Sequence, residues 1–182
     1  RIIGKTRDDA AGETFDKAAR SLSIPYPGGV ELDKLAELGN DTAFKFKQPK
    51  VTDSRYDFSF SGLKTAIVNQ IHNLNQKNIP VPINDLCASF RKTVVNYLVD
   101  NFMKAAADLK YSKLAIAGGV SANSLLRKNL NDICKKRNIE LYIPTKNLCG
   151  DNAAMVASQA YYEYINKNVA DFRLNAFANM SI

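Results

Sequence analysis

The stretch Leu114-Ala115-Ile116-Ala117-Gly118-Gly119-Val120-Ser121-Ala122-Asn123 limits the possible folds more than any other part of the chain. Its first four residues suit a short buried strand, and the paired glycines end it. Ser121 is then placed to cap a helix carrying Leu125, Leu126, Leu130 and Ile133. A strand that turns through Gly-Gly into a helix leaves the first helical N–H groups facing the turn, where a phosphate or ribose oxygen is favoured. Lacking a Cβ, Gly118 and Gly119 let a ligand reach the backbone. An ordinary βα turn would accept the same residues. Asn123 favours a site, because its amide can face an occupant of the turn.

The elements around this stretch follow one order. Leu86, Phe90, Val94, Tyr97, Leu98, Phe102, Ala105, Ala106 and Leu109 recur at helical spacing, predicting a long core helix from Asn84 to about Lys110. The strand Leu114–Ala117 follows, then the helix from Ser121 to about Arg137, then a strand Glu140–Ile143 stopped by Pro144. The order β-α-β-α predicts a parallel sheet with right-handed crossovers. A last helix opens near Asp151 and runs to about Asn166. Asp151 suits an N-cap. It also follows a parallel strand at its C-terminal end, where open sheets place ligands, so it is a candidate metal or phosphate-magnesium ligand. The tail from Ala170 is weakly patterned.

Before the long helix, Thr6 and Asp9 predict a capping box for a helix whose inner face is Ala11, Phe15, Ala18, Ala19 and Leu22. Asp8 and Asp9 suit that helix's dipole. Asp16, in mid-helix, does not. Pro25-Tyr26-Pro27-Gly28-Gly29 predicts a turn with positive φ at Gly28 or Gly29, followed by a helix Val30–Leu38 carrying Asp33. Two glycine pairs beside helix starts suggest a groove between backbones, although two tight turns would explain them almost as well. Residues 40–55 read as a basic surface loop, Phe58 and Phe60 as a half-buried strand, and Ser61 as the cap of the next helix.

Composition excludes some functions. With 46% hydrophobic and 24% charged residues, and no apolar run near the roughly 20 residues that span a bilayer, the chain reads as soluble and without a membrane partner. Three widely spaced cysteines give neither a disulfide framework nor a zinc knuckle and suit a reducing cytoplasm. His72 is the single histidine, so a histidine-pair metal site cannot be built from this chain alone. The net charge of +7 permits a polyanionic partner without requiring one.

Five motifs in series carry more information than any one of them: Asp8-Asp9-Ala10-Ala11-Gly12-Glu13-Thr14-Phe15-Asp16-Lys17, Tyr26-Pro27-Gly28-Gly29, Asp57-Phe58-Ser59-Phe60-Ser61-Gly62-Leu63-Lys64-Thr65, Ala117-Gly118-Gly119-Val120-Ser121-Ala122-Asn123 and Cys149-Gly150-Asp151-Asn152-Ala153-Ala154-Met155. The series resembles the bacterial branch of the TsaD family, tRNA adenosine threonylcarbamoyltransferases formerly called Gcp or O-sialoglycoprotein endopeptidase. The resemblance covers the C-terminal half or so of a family member.

It implies an α/β lobe of the actin, Hsp70 and sugar-kinase type (ribonuclease H-like), with helices flanking a sheet that contains parallel strands. Residues 1–80 would hold a mostly helical insertion and 81–182 the β-α-β-α core, the N-terminal lobe being absent. The implied reaction moves threonylcarbamoyl from threonylcarbamoyl-adenylate to N6 of the anticodon-adjacent adenosine in tRNAs reading codons that begin with A. By the same resemblance, Asp16, Gly29 and Asp33 would line the adenylate or ATP/ADP ribose site. Gly118, Gly119 and Asn123 would contact that ligand from the turn, and Asp151 would bind one divalent metal, iron or zinc. Implied partners are tRNA, the TsaB paralogue, the TsaE ATPase and the enzyme that makes the adenylate. The family's His-x-x-x-His segment and glycine-rich acyl-binding segment are not among these residues, so the chain alone is expected to be inactive. The rival readings are a small-molecule kinase of the same fold and the metalloendopeptidase of the older name, which the absence of His-Glu-x-x-His disfavours.

Overall fold

The computed structural model describes residues 1–176, and its longest element, helix α4 (Ile83–Asp108), is the surface on which the other helices of the unit Arg1–Cys149 assemble. α1 (Ala11–Ser21), α2 (Gly28–Ala36) and α3 (Ser61–Gln76) pack against its first half, and α1 packs on both α2 and α3. Phe15, Leu32, Phe60, Leu63, Ile67, Leu86, Phe90 and Val94 close that core. The second half of α4 covers a separate core of Val95, Val99, Met103, Leu114, Leu126, Leu130 and Cys134. One apolar stripe thus serves two cores, because α4 is long enough to extend beyond the helices packed on its start. Burial pushes the Cys87 thiol up to about 12, so it remains a packed apolar group.

Strands β1 (Lys113–Ala115) and β2 (Glu140–Tyr142) are parallel, with Leu114 opposite Leu141, and α5 (Ser124–Lys136) makes the crossover between them. The predicted parallel β-α-β unit is present, each strand one residue shorter than expected. The compact unit Arg1–Cys149 runs through residue 80 without a break, since α1 and α2 pack directly on α4. The segment from Gly150 onward forms a second unit. It carries α6 (Ala153–Ile165), capped by Asn152, whose side chain accepts the Met155 N–H at 2.9 Å. Residues 177–182 of the tail lie outside the described residues. Among those described, no helix is long and apolar enough to cross a membrane.

Three local expectations are corrected. Phe58 makes only an isolated parallel bridge to Thr6, and the strand goes no further. Its continuation is blocked because Asp8 takes the next donors: its carboxylate accepts from Phe60 N–H at 2.7 Å, Ser61 N–H at 3.3 Å, and the Ser59 and Ser61 hydroxyls at 2.6 and 2.8 Å. Asp8 therefore caps α3, a helix some 50 residues distant in sequence, and does not serve its own. Thr6 caps nothing, its hydroxyl donating to the Asp9 carbonyl at 2.7 Å, while α1 starts behind Ala10 with no side-chain cap. Finally, Gly28 and Gly29 have ordinary φ and begin α2, the turn before them running through a cis Tyr26–Pro27 bond.

Burial alone would raise the Asp8 pKa, but the donors from Ser59, Phe60 and Ser61 outweigh it and hold the carboxyl at about 2, below its ordinary 3.8. With the folded value depressed, its stabilisation is complete above about pH 4 and drains away as pH falls towards 2. Asp8→Ala is expected to cost about 1 kcal/mol at pH 7, the usual loss of an N-cap. Urea midpoints of the two proteins should converge as pH approaches 2. Parallel curves down to that pH would remove the capping role.

Candidate functional site

The turn after β1 has an unusual backbone. Gly118 has φ +84°, a region that a side chain strains to enter, and residues Gly119–Ala122 follow as a 3₁₀ turn. Among the described residues, a Cβ at Gly118 or at Gly119 would meet no atom within 4 Å, so open space lies over both. The inserted 3₁₀ turn moves the cap. Asn123, not Ser121, is the N-cap of α5, its Oδ1 accepting the Leu126 N–H at 3.0 Å. Ser121 is buried instead, and its hydroxyl has no partner among the described residues.

The Asn123 amide does not face the turn's open side unengaged. Its Nδ2 donates to Asp33 Oδ1 at 2.9 Å. Asp33, on α2, also accepts from Ser124 N–H at 3.0 Å, from the Ser124 hydroxyl at 3.1 Å and from the Arg91 guanidinium at 2.9 Å. The N-terminus of α5 is thus capped twice, by Asn123 from within and by Asp33 from α2, an arrangement its dipole favours. Arg91, whose side chain is 6% exposed, further donates to the Asp33 carbonyl at 3.1 Å, to Glu37 at 2.5 Å and to the Ser124 hydroxyl at 3.1 Å. Arg91 first and Ser124 second hold the Glu37 carboxyl below its ordinary range.

A second carboxylate repeats the device. Asp16 Oδ1 on α1 accepts the Gly29 N–H at 2.8 Å, so it caps α2 from a neighbouring helix. Gly28 is required there, because a Cβ would stand 2.6 Å from Ala19 Cβ and 3.2 Å from the Asp16 backbone. Among the described residues Asp16 Oδ2 has no hydrogen-bond partner and remains open to a hydroxyl donor. A Cβ on Gly12, near the start of α1, would lie 3.4 Å from Val120, so α1 borders the 3₁₀ turn. The sequence-derived residues therefore fall into two joined sets, Asp16 with Gly29 and Asp33 with Asn123, and Gly118-Gly119 form the adjoining turn. Each carboxylate bonds helix N–H groups, and only Asp16 retains an unengaged oxygen.

Asp151 lies exposed in the second unit, and its N-cap alternative is corrected by Asn152. Among the described residues no three His, Cys, Asp or Glu side chains come together. Asp151 is a lone oxygen donor here, and a cation needing four or more ligands would have to find the rest elsewhere. Arg91, Glu37 and Ser124 carried no functional expectation. The available signal was Arg91 itself, a charge within the apolar stripe between Cys87 and Val94, since arginine is rarely buried unless paired.

The site and fold define an α/β protein with a glycine turn leading into a doubly capped helix. The family model for TsaD, tRNA N6-adenosine threonylcarbamoyltransferase, matches residues 1–158, and the chain belongs to that family. A tRNA N6-adenosine threonylcarbamoyltransferase of Clostridium botulinum (strain 657 / Type Ba4) is 47% identical over 181 residues, and one of Clostridium perfringens (strain ATCC 13124) is 48% identical. Each alignment takes in 100% of this chain and 53% of the relative, so the chain spans about half the length of the curated relatives it matches. Among solved structures, T. kodakarensis HypF superposes with a TM-score of 0.64 at 19% identity, over 88% of this chain and 20% of that one. Full-length HypF in its phosphate- and nucleotide-bound form gives 0.53 at 22% identity, over 76% and 22%. These two likenesses concern the fold alone.

Proposed function

We propose that this chain supplies one wall of the adenylate site of a tRNA N6-adenosine threonylcarbamoyltransferase, within a two-lobed protein of the actin, Hsp70 and sugar-kinase type. The observation that carries the reading is the Gly118-Gly119 turn, where, among the described residues, no atom lies within 4 Å of an added Cβ. Asp16 Oδ2 would accept from a ribose hydroxyl, Gly29 would admit the ligand beside α2, and Asn123 and Asp33 would hold the start of α5 against it. The reaction transfers threonylcarbamoyl from its adenylate to N6 of a tRNA adenosine, with TsaB, TsaE and the adenylate-forming enzyme as partners in the cytoplasm. Asp151 would contribute one ligand of an iron or zinc ion, the remaining ligands coming from outside this chain. The proposed division of labour is a helical insertion in residues 1–80 and a β-α-β-α core in 81–182.

Gly119→Val tests the wall. No atom of the described residues lies within 4 Å of the added Cβ, so stability should change by less than about 0.5 kcal/mol, the usual range for open surface sites. The valine would fill space reserved for the ligand, and affinity for adenosine 5′-monophosphate should fall about tenfold or more, at least ~1.4 kcal/mol. Calorimetric titration and a thermal melt read the two quantities separately. Unchanged affinity in a stable variant would make the turn a structural feature only.

A further inference from the structure

The basic loop between α2 and α3 is anchored along α4. Phe46 packs edge-on to Phe90, with centroids 5.7 Å apart at 86°, and the Phe44 N–H donates to Ser89 Oγ at 3.1 Å. Gln48 Nε2 donates to Asp100 at 3.4 Å, two turns or more further along the helix. Between these anchors the exposure alternates: Phe44, Phe46 and Gln48 are half-buried, while Lys45 and Lys47 are exposed, as is Lys50 beyond them. Residues 42–52 contain no Asp or Glu, and among the described residues none of these three lysines is in an ion pair. Lys92 on α4 is already paired with Asp41 at 2.9 Å and Asp100 accepts from Gln48, and among the described residues neither carboxylate forms an ion pair with the three lysines. Between loop and helix lies a groove of about 390 Å³ whose polar lining is Thr42, Lys45, Gln48, Thr93, Asn96 and the Lys92–Asp41 ion pair.

From this placement we infer that Lys45, Lys47 and Lys50 form a docking strip for an RNA phosphate backbone, outside the adenylate wall. Same-side residues of an extended segment lie about 7 Å apart, a spacing that suits successive phosphates and fits Lys45 and Lys47, while Lys50 stands three residues beyond Lys47 and extends the strip outside that alternation. A strip tied down at Ser89, Phe90 and Asp100 loses little further backbone freedom on binding. The groups beside it donate to phosphate and sugar oxygens without reading bases, which is what a protein acting on several tRNAs needs. This rests on the tRNA reading proposed above.

The test is fluorescence anisotropy of labelled unmodified tRNA with the full 182-residue chain, across a salt series. Replacing Lys45, Lys47 and Lys50 together by Gln is expected to weaken binding at least about tenfold at low salt. It should also lower the slope of log affinity against log salt by about 2–3, near 0.7–0.9 per phosphate lost. A control with Lys110, Lys135 and Lys136 replaced by Gln removes equal charge and should keep the slope. The triple Lys→Arg variant of the strip should keep binding, and all variants should melt like the parent. Equal loss in strip and control would overturn the inference in favour of a diffuse positive field. An unaltered slope in the strip variant would overturn it while leaving tRNA as a ligand. Failure of the parent chain to bind tRNA at any salt would overturn both.

Discussion

Arg91→Leu is expected to destabilise the protein by about 3 kcal/mol, the lower end of the cost of removing one partner from a buried ion pair, because Asp33 is largely buried with it while Glu37 is more than half exposed. The guanidinium stands between the carboxylates of Asp33 and Glu37, both of which also bond the Ser124 hydroxyl. Without it, two negative charges would face one hydroxyl with no cation between them. The loss should be partly recoverable: in the background of Glu37→Gln, Arg91→Leu should cost less by 1 kcal/mol or more, the coupling expected of neighbours in one network. Denaturant melts of the four proteins give that coupling. Additive losses would show that Arg91 acts through packing alone.

Phe90→Ala should cost a comparable ~3–5 kcal/mol. The ring is fully buried and meets Phe15 of α1 at 6.1 Å and Phe46 of the basic loop at 5.7 Å, both edge to face. Truncation opens a cavity where three segments meet and frees the loop's anchor. A urea midpoint shift corresponding to less than ~1.5 kcal/mol would mean the site collapses around the gap, and that α1 and the loop are held by other contacts.

The parts of this fold that sequence shows are those set by local periodicity. The stripe on α4 gives both its length and its inward face, and the β-α-β order gives the parallel pairing of Leu114 with Leu141. The parts it hides are set by distant partners. Asp8 reads as a complement to its own helix, yet its acceptors serve the start of α3, because the Thr6–Phe58 bridge brings the two segments together. Asp33 and Asn123 each stand out in the sequence as candidates, but their direct bond does not, since 90 residues separate them. Ser121 and Asn123 are equally good N-cap residues, so side-chain preference does not choose between them, and the 3₁₀ turn selects Asn123 by moving the helix start to Ser124. Asp151 gave a ligand pattern without its companions, and these residues do not assemble a coordination sphere around it.

The central claim is that the Gly118-Gly119 turn, with Asp16, Gly29, Asp33 and Asn123, forms a surface that binds an adenylate. The most direct measurement is a two-dimensional amide NMR titration of the ¹⁵N-labelled chain with adenosine 5′-monophosphate up to millimolar concentrations, where weak binding is still visible residue by residue. The expected result is saturable shifts centred on Gly118, Gly119, Asn123 and Gly29, with the amides of α6 and of the β2 strand unmoved. Shifts centred elsewhere, or none at these four amides at millimolar nucleotide, would contradict it.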